Sequence, residues 1–392
     1  MSMSNGSSIT AARSLAEVET LRGVWQDLNL DLATDLDVYR LLFKTRSHLQ
    51  RPHVLALSQA GRTTAILVGR LENTHVEVRV GYLSLWKPKV KAIVVPDGGL
   101  LGDFSWSNAR LACHHLLEAL RQREADVVIF EGLKVESEMF RAARSLPGFL
   151  WRSHAARPQR HWRMRLPQKA EEVWGASANR RSWVRRIMKN VKKDYKGEVT
   201  FRLFTQPSDV EVFCKDAELV ERKTYHRGLG VGFVYNEETF QRHSLAANGG
   251  TLHCWILYVK EKPVAFWTGS VYKGCFHSGS LGFDSDFGQY QPGNLIFIRM
   301  VERLCSEGVK EVDFGLGDAS YKERFGDERW DEATIHIFSR SAWGLVINAE
   351  VSATQAIDLC AAKALVRLNL FQRLKTKWRQ KLVKKPGEAE RG

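Results

Sequence analysis

The sequence predicts an α/β protein made of two units in tandem, each a mixed twisted sheet flanked by helices, followed by a basic C-terminal helix. Three observations lead there. The chain has 392 residues, 44% hydrophobic and 26% charged, which is ordinary globular composition at a length that exceeds one core. Two passages of similar rhythm, strands then a helix then a strand, follow one another along it. A short echo links them: Leu120 to Phe130 and Leu304 to Phe314 both run from helix into strand, and Gly-Leu follows each at 132–133 and 315–316.

In the first passage "HVLALSQ" and "TTAILVGRL" read as strands, "NARLACHHLLEALRQRE" as a helix and "DVVIF" as the strand after it. In the second, "LHCWILYV", "PVAFWTGSVY" and "CFHSGSLGF" are strands parted by "KEKP" and "YKGC", which stand where hairpin turns belong. The helix "NLIFIRMVERLCSEG" and the strand "KEVDF" complete it. "GLVINAEVSA" reads as a final strand, after which Ile357, Ala361, Ala364, Leu368 and Phe371 recur at helical spacing. The expected domains are 1–165, 166–350 and 351–392, joined near 160–170 without a Gly/Ser- or Pro-rich linker.

The net charge of +14 is concentrated. Residues 180–196 hold eight Lys/Arg against one Asp, and 363–385 hold nine against no acid, so the rest of the chain sums to −2. Such patches suit anionic partners. In the first, Trp183, Ile187, Val191 and Tyr195 recur every four residues, giving a helix with one apolar face and arginines around the rest. The second, with Phe371, Leu374 and Trp378 beside a polybasic face, suits docking on protein or peripheral contact with a membrane surface. Six cysteines lie far apart with no Cys-x-x-Cys, which excludes a zinc site or disulfide framework and points to a reducing compartment. The N-terminal stretch has no apolar core and no apolar run approaches 18 residues, so a cytoplasmic protein, reaching at most the inner membrane surface, is expected. No metal is expected.

The stretch "VDFGLGDASYKERFGD" (312–327) contains Asp-Phe-Gly, the magnesium-binding triplet of kinases. A kinase also needs a glycine-rich phosphate loop, a strand lysine and His-Arg-Asp upstream. "RGLGVGF" (227–233) has the wrong order, and neither His-Arg-Asp nor Ala-Pro-Glu occurs. The triplet is a coincidence.

Three features of 251–326 carry a different likeness: the strand ending "SGSLGFDSDF", the helix opening "QPGNL" (291–295), and "VDFGLGDASYKERFG". In this order and spacing they resemble the catalytic half of GCN5-related (GNAT) acyltransferases. Within these they resemble the BioF2-like or CelD-type acetyltransferase branch, related to the Fem aminoacyltransferases. The basic helix at 180–196 is similar to the segment that opens this half. The resemblance implies tandem GNAT-like domains, the first degenerate. It also implies two parallel strands that splay apart to hold a pantetheine arm, "CFHSGSLGF" and "KEVDF".

On that reading Gln291, Gly293, Asn294 and Leu281 bind the donor, acetyl-CoA. Pro292 sets the start of the helix, Gly293 lets the pyrophosphate approach and Asn294 caps the first turn. "QYQPGN" keeps one glycine where the GNAT phosphate loop has more, and Fem-type relatives use aminoacyl-tRNA on the same fold. Lys322 is expected to stabilise developing negative charge and Tyr321 to give a proton, with a lysine paired to Asp318 or Glu323 on an exposed turn as the plain alternative. Asp284 would bind or deprotonate the acceptor, and His277, Arg180, Arg181 and Arg185 would line its side. The implied function is acetyl transfer to an amine or hydroxyl of an amino-sugar, polysaccharide or envelope intermediate. The rivals are a Fem-like transferase using tRNA, or a non-catalytic scaffold of a polysaccharide synthesis complex.

Overall fold

The computed structural model divides into two compact units, residues 1–161 with 330–369 and residues 162–329 with 370–392. It describes residues 7–80, 83–154, 156–175, 178–195, 198–224 and 232–367, with 361–367 as backbone only. The basic stretch beyond 367, and the membrane contact expected of Phe371, Leu374 and Trp378, lie outside the described residues.

In the second unit the sheet runs in the order Val199–Phe204, Cys254–Val259, Lys262–Tyr272, Cys275–Phe283 and Glu311–Leu316, with Gln159–Arg165 beyond. The first four strands are antiparallel neighbours. Their turns use left-handed pairs at Lys260–Glu261 (φ 50° and 64°) and Lys273–Gly274 (φ 47° and 80°), where the sequence placed hairpins. Cys275–Phe283 and Glu311–Leu316 are parallel. Parallel neighbours need a crossover, and the helix Pro292–Ser306 supplies it. Leu295, Ile296, Phe297, Ile298, Met300, Val301 and Leu304 of that helix are all buried, because the sheet covers one side and the helices Ala170–Gly175 and Ala178–Tyr195 the other. In the basic helix Ala178–Tyr195, Trp183, Ile187 and Val191 are buried while Arg181, Arg185 and Arg186 are exposed, as the four-residue spacing predicts.

A bulge bends the strand Cys275–Phe283. Its register against Lys262–Tyr272 shifts between Trp267/Leu281 and Gly269/Ser278, so Thr268 faces two residues, Gly279 and Ser280. Thr268 Oγ1 takes the orphaned Ser280 N–H at 2.6 Å. Two glycines are required here: a Cβ on Gly269 would stand 2.1 Å from the Phe276 ring, and one on Gly279 would stand 2.3 Å from Thr268 Oγ1.

The first unit holds two sheets. One is ordered Ser7–Ala12, Val54–Gln59, Arg62–Leu67 and Leu100–Gly102; the other Glu328–Phe338, Val127–Lys134, Lys89–Val95, Arg70–His75 and Leu49–Pro52. Val127–Lys134 and Lys89–Val95 are parallel, and the helix Trp106–Arg121 lies between them in the chain. Each unit thus contains the strand, helix and parallel strand that the sequence echo marks.

Two expectations need correction. "GLVINAEVSA" is not a strand but part of the helix Ala342–Arg367. Its Ile347 and Val351, four residues apart, bury together in a cluster with Val76, Val78 and Phe338, and this one-sided burial at helical period outweighs the β-propensity of the run. Secondly, Glu328–Phe338 pairs antiparallel with Val127–Lys134, so 330–350 folds with the first unit rather than with a 166–350 block. Among the described residues no helix is long and apolar enough to cross a membrane.

Gly269→Ala drives a methyl into the Phe276 ring and is expected to cost about 1–3 kcal/mol. A lower urea midpoint at unchanged slope would register it; an unchanged midpoint would show that the bulge can relax.

Candidate active site

The second unit's parallel strands stay paired only through Cys275↔Glu311, Phe276↔Val312 and His277↔Asp313. Beyond that point Cys275–Phe283 continues to Phe283 and Glu311–Leu316 to Leu316 without pairing to each other. The arms therefore splay from an apex at His277 and Asp313, leaving backbone groups of both without their sheet partner. Phe283 and Leu316, at the ends of the two arms, are 40% and 38% exposed.

Lys322 answers the carbonyls of the second arm. It sits on the short helix Ser320–Phe325 and is 7% exposed. Its Nζ donates to the carbonyls of Phe314 at 2.6 Å, Gly315 at 3.3 Å and Leu316 at 2.7 Å. Gly315 (φ 68°) and Gly317 (φ 98°) take left-handed backbone that lets the strand end curl around the ammonium. Burial pulls its pKa down to about 8, against the opposing pull of Asp313 and Asp318. The exposed turn with a side-chain ion pair is not what forms. Asp313 holds the turn at the apex: its Oδ1 accepts from Gly315 N at 2.8 Å and its Oδ2 from Arg163 at 3.3 Å.

Tyr321 packs edge-on against Trp267 at 5.5 Å and Phe314 at 5.6 Å. Burial pushes its phenol well above the usual range, so it carries its proton at neutral pH. Its hydroxyl has no hydrogen-bond partner among the described residues.

The helix Pro292–Ser306 begins at Gln291, which adopts the left-handed region (φ 54°, ψ 56°). No side chain caps the helix; Asn294 N and Leu295 N donate to the Gln291 carbonyl and Pro292 has no N–H, so Gly293 N–H is the first-turn donor left for an anion. Asn294 is not the cap expected of it; its Nδ2 donates to Gln291 Oε1 at 2.9 Å, bracing the residue that makes the turn. A Cβ on Gly293 would meet only Leu281 methyls at 3.6 Å, an ordinary contact. Among the described residues no close contact requires glycine there.

The basic helix is pinned to both sides of the splay. Trp183 Nε1 donates to Gln291 Oε1 at 3.4 Å and the Tyr290 hydroxyl to Asp194 at 2.8 Å. At its other end Arg180 donates to the Arg324 carbonyl at 2.6 Å and stands over the Phe325 ring at 5.1 Å. Arg181 donates to the Gly175 carbonyl, and Arg185 faces solvent. Asp284 is buried, its Oδ2 accepting from Lys223 at 2.6 Å and its Oδ1 from Asp286 N at 3.1 Å, where it caps the turn Ser285–Tyr290. His277 lies at the apex, half-buried.

Residues 178–323, which begin with the basic helix and end just past Lys322, match the family model described as "Acetyltransferase (GNAT) domain". The chain carries a GNAT-type domain. FemX has the same fold at TM-score 0.55 and 11% identity, over 82% of this chain and 95% of its own. A conserved protein of unknown function from Bacteroides thetaiotaomicron scores 0.50 at 12% identity, over 84% of this chain and all of its own. At such identity the likeness is one of fold. No curated protein matches the sequence.

Sequence reasoning missed the brace of Gln291, Trp183 and Asn294, whose members lie 108 and three residues apart, and the Arg163–Asp313 pair at the apex. It also missed a polar cluster in the first unit, Asp97, His161 and Glu332, whose ligand-type atoms lie within 4.8 Å of one another. Glu332 accepts from Trp330 Nε1 and stands 3.2 Å from His161 Nδ1. Burial, then Glu332 and Asp31, push Asp97 up to about 7, so below that pH the folded state keeps a proton there. Three residues this far apart in sequence leave no motif.

Lys322→Met keeps the stem but strands three carbonyls and is expected to cost about 3 kcal/mol, read as a fall in thermal midpoint. For Asp97 the folded state binds a proton that the unfolded chain has released above its ordinary carboxylate pKa. Stability is therefore expected to fall as pH rises from about 4 to about 7, and Asp97→Asn to flatten that slope in urea titrations.

Proposed function

We propose that the second unit transfers an acyl group from a thioester donor, acetyl-CoA, to an amine or hydroxyl of an amino-sugar, polysaccharide or envelope intermediate. The observation that carries this reading is the splay beyond His277↔Asp313, with an uncapped helix N-terminus and an unobstructed Gly293 following it. Backbone groups along 278–283 suit an extended pantetheine, and the helix N-terminus suits its pyrophosphate. The acceptor nitrogen or oxygen attacks the thioester carbonyl and the carbon–sulfur bond breaks; the Tyr321 hydroxyl, which keeps its proton, donates a hydrogen bond to the leaving thiolate, and the acceptor's own proton reaches the thiolate through solvent. Lys322 has all three protons on carbonyls. Its part is to hold the second arm and to supply positive field where the oxyanion develops, rather than to bond to it. Asp284, with both oxygens engaged, serves as an anchor for the turn before the helix.

The outward arginines and lysines of Ala178–Tyr195, fixed beside Gln291, support a second reading in which the donor is an aminoacyl-tRNA. Thermal unfolding with acetyl-CoA separates the two. At a hundred times its dissociation constant a ligand adds about 2.7 kcal/mol, a visible rise in midpoint. The expected result is a saturable rise, lost in Gly293→Trp. No rise at millimolar concentration, together with salt-sensitive retention of RNA, would transfer the donor site to tRNA.

A further inference from the structure

A separate surface of the first unit exposes large apolar side chains in one patch. Leu85 and Trp86 end the short strand Leu83–Trp86, and Trp343, Leu345 and Val346 lie in the first turns of the helix Ala342–Arg367. All five are exposed, Trp86 by 40% and Trp343 by 41%. At its centre the Trp86 and Trp343 rings meet edge to face at 5.7 Å, and the helix packs along the strand Val78–Val80 that pairs with Leu83–Trp86. The helix is not short of a core, since Ile347 and Val351 are already buried against Val78 and Phe338. Trp343 and Val346 are therefore spare apolar surface on a helix that has met its packing need. A monomer seldom leaves such a patch bare without a partner.

We propose that this patch seats the protein on an anionic phospholipid surface. The charge around it selects that occupant. Residues 83–95 contain three lysines and no acid, and 340–349 contain one arginine and no acid. Arg79, Lys87 and Lys89 are exposed on the same hairpin and the segment after it, with Glu77 the nearby acid. Tryptophan prefers the boundary between headgroups and acyl chains, where its ring is apolar and its N–H stays wet, and basic neighbours there bind anionic headgroups. An acyltransferase held this way would take an acceptor presented at a bilayer.

The test is flotation of the full-length chain with vesicles of phosphatidylcholine alone and with about 30% phosphatidylglycerol. Binding to the anionic vesicles is expected, weakened by salt, and reduced at least about tenfold in Trp86→Ser/Trp343→Ser. Leu85→Ser, at a more exposed site with no ring packing, is expected to weaken it in the same direction without altering the thermal midpoint. Because every variant keeps the basic tail, binding by the double variant equal to the parent would overturn the proposal. Absence of binding by the parent would overturn it too. A parent that sediments as a dimer while the double variant is a monomer would reassign the patch to contact between copies.

Discussion

The site depends on one separation: two parallel strands that part after His277↔Asp313. A sheet resists this, because each parted residue leaves a donor or acceptor without a partner in a partly buried place. The sequence supplies a compensation for each arm. On the second, the Lys322 ammonium collects the carbonyls of 314, 315 and 316. On the first, the bulge at Thr268 turns the strand away and takes the displaced Ser280 N–H on a hydroxyl. The groups left over along 278–283 are then those a ligand can use.

The pieces around the splay hold one another. Gln291 stands in a backbone region that costs a non-glycine residue about 1 kcal/mol or more, and persists because Asn294 and Trp183 both donate to its side chain. Trp183 belongs to the helix whose first turn is tied, through Arg180, to Arg324 and Phe325, beside Lys322. Phe297, on the crossover helix, is in ring contact with Phe325 at 4.8 Å and Phe314 at 6.0 Å. A disturbance at Lys322 is thus felt at the helix N-terminus through packed rings and not through one chain of hydrogen bonds.

How much of this was legible in the sequence follows from how local each signal is. Hairpin turns, the four-residue stripe of the basic helix and the order of strand, helix and parallel strand are set by neighbours within a few residues, and they stand where the pattern puts them. The site motif at 312–327 could be located, but its chemistry could not be read. Lys322 is an exposed residue type whose burial depends on carbonyls made available by a splay, which no local spacing encodes. "GLVINAEVSA" failed for a related reason: its β-branched residues suit a strand, yet the burial of Ile347 and Val351 on one side is decided by strands more than 200 residues earlier in the chain. Asp97, His161 and Glu332 meet only through the sheet.

The first unit shows why the same passage need not make a site. Its parallel pair runs Val127↔Ala92 through Phe130↔Val95, and Val95 is the last residue of its strand. Lys89–Val95 therefore has no arm past the last pair to match 278–283, and only its partner Val127–Lys134 runs on. The space beyond is taken by the chain itself. Gly132 is left-handed at φ 65°, and a Cβ there would stand 2.6 Å from the Asp97 carboxyl, which fills the place. Leu133 and Lys134 then pair with Ala333 and Glu332 of the returning strand. "KVESEMF" has no Tyr-Lys-x-x-Phe, and the Lys134 that opens it stands over the Trp330 ring instead. Both units carry the strand, helix and parallel strand, and they differ in how far the first strand of the pair runs past the last pairing.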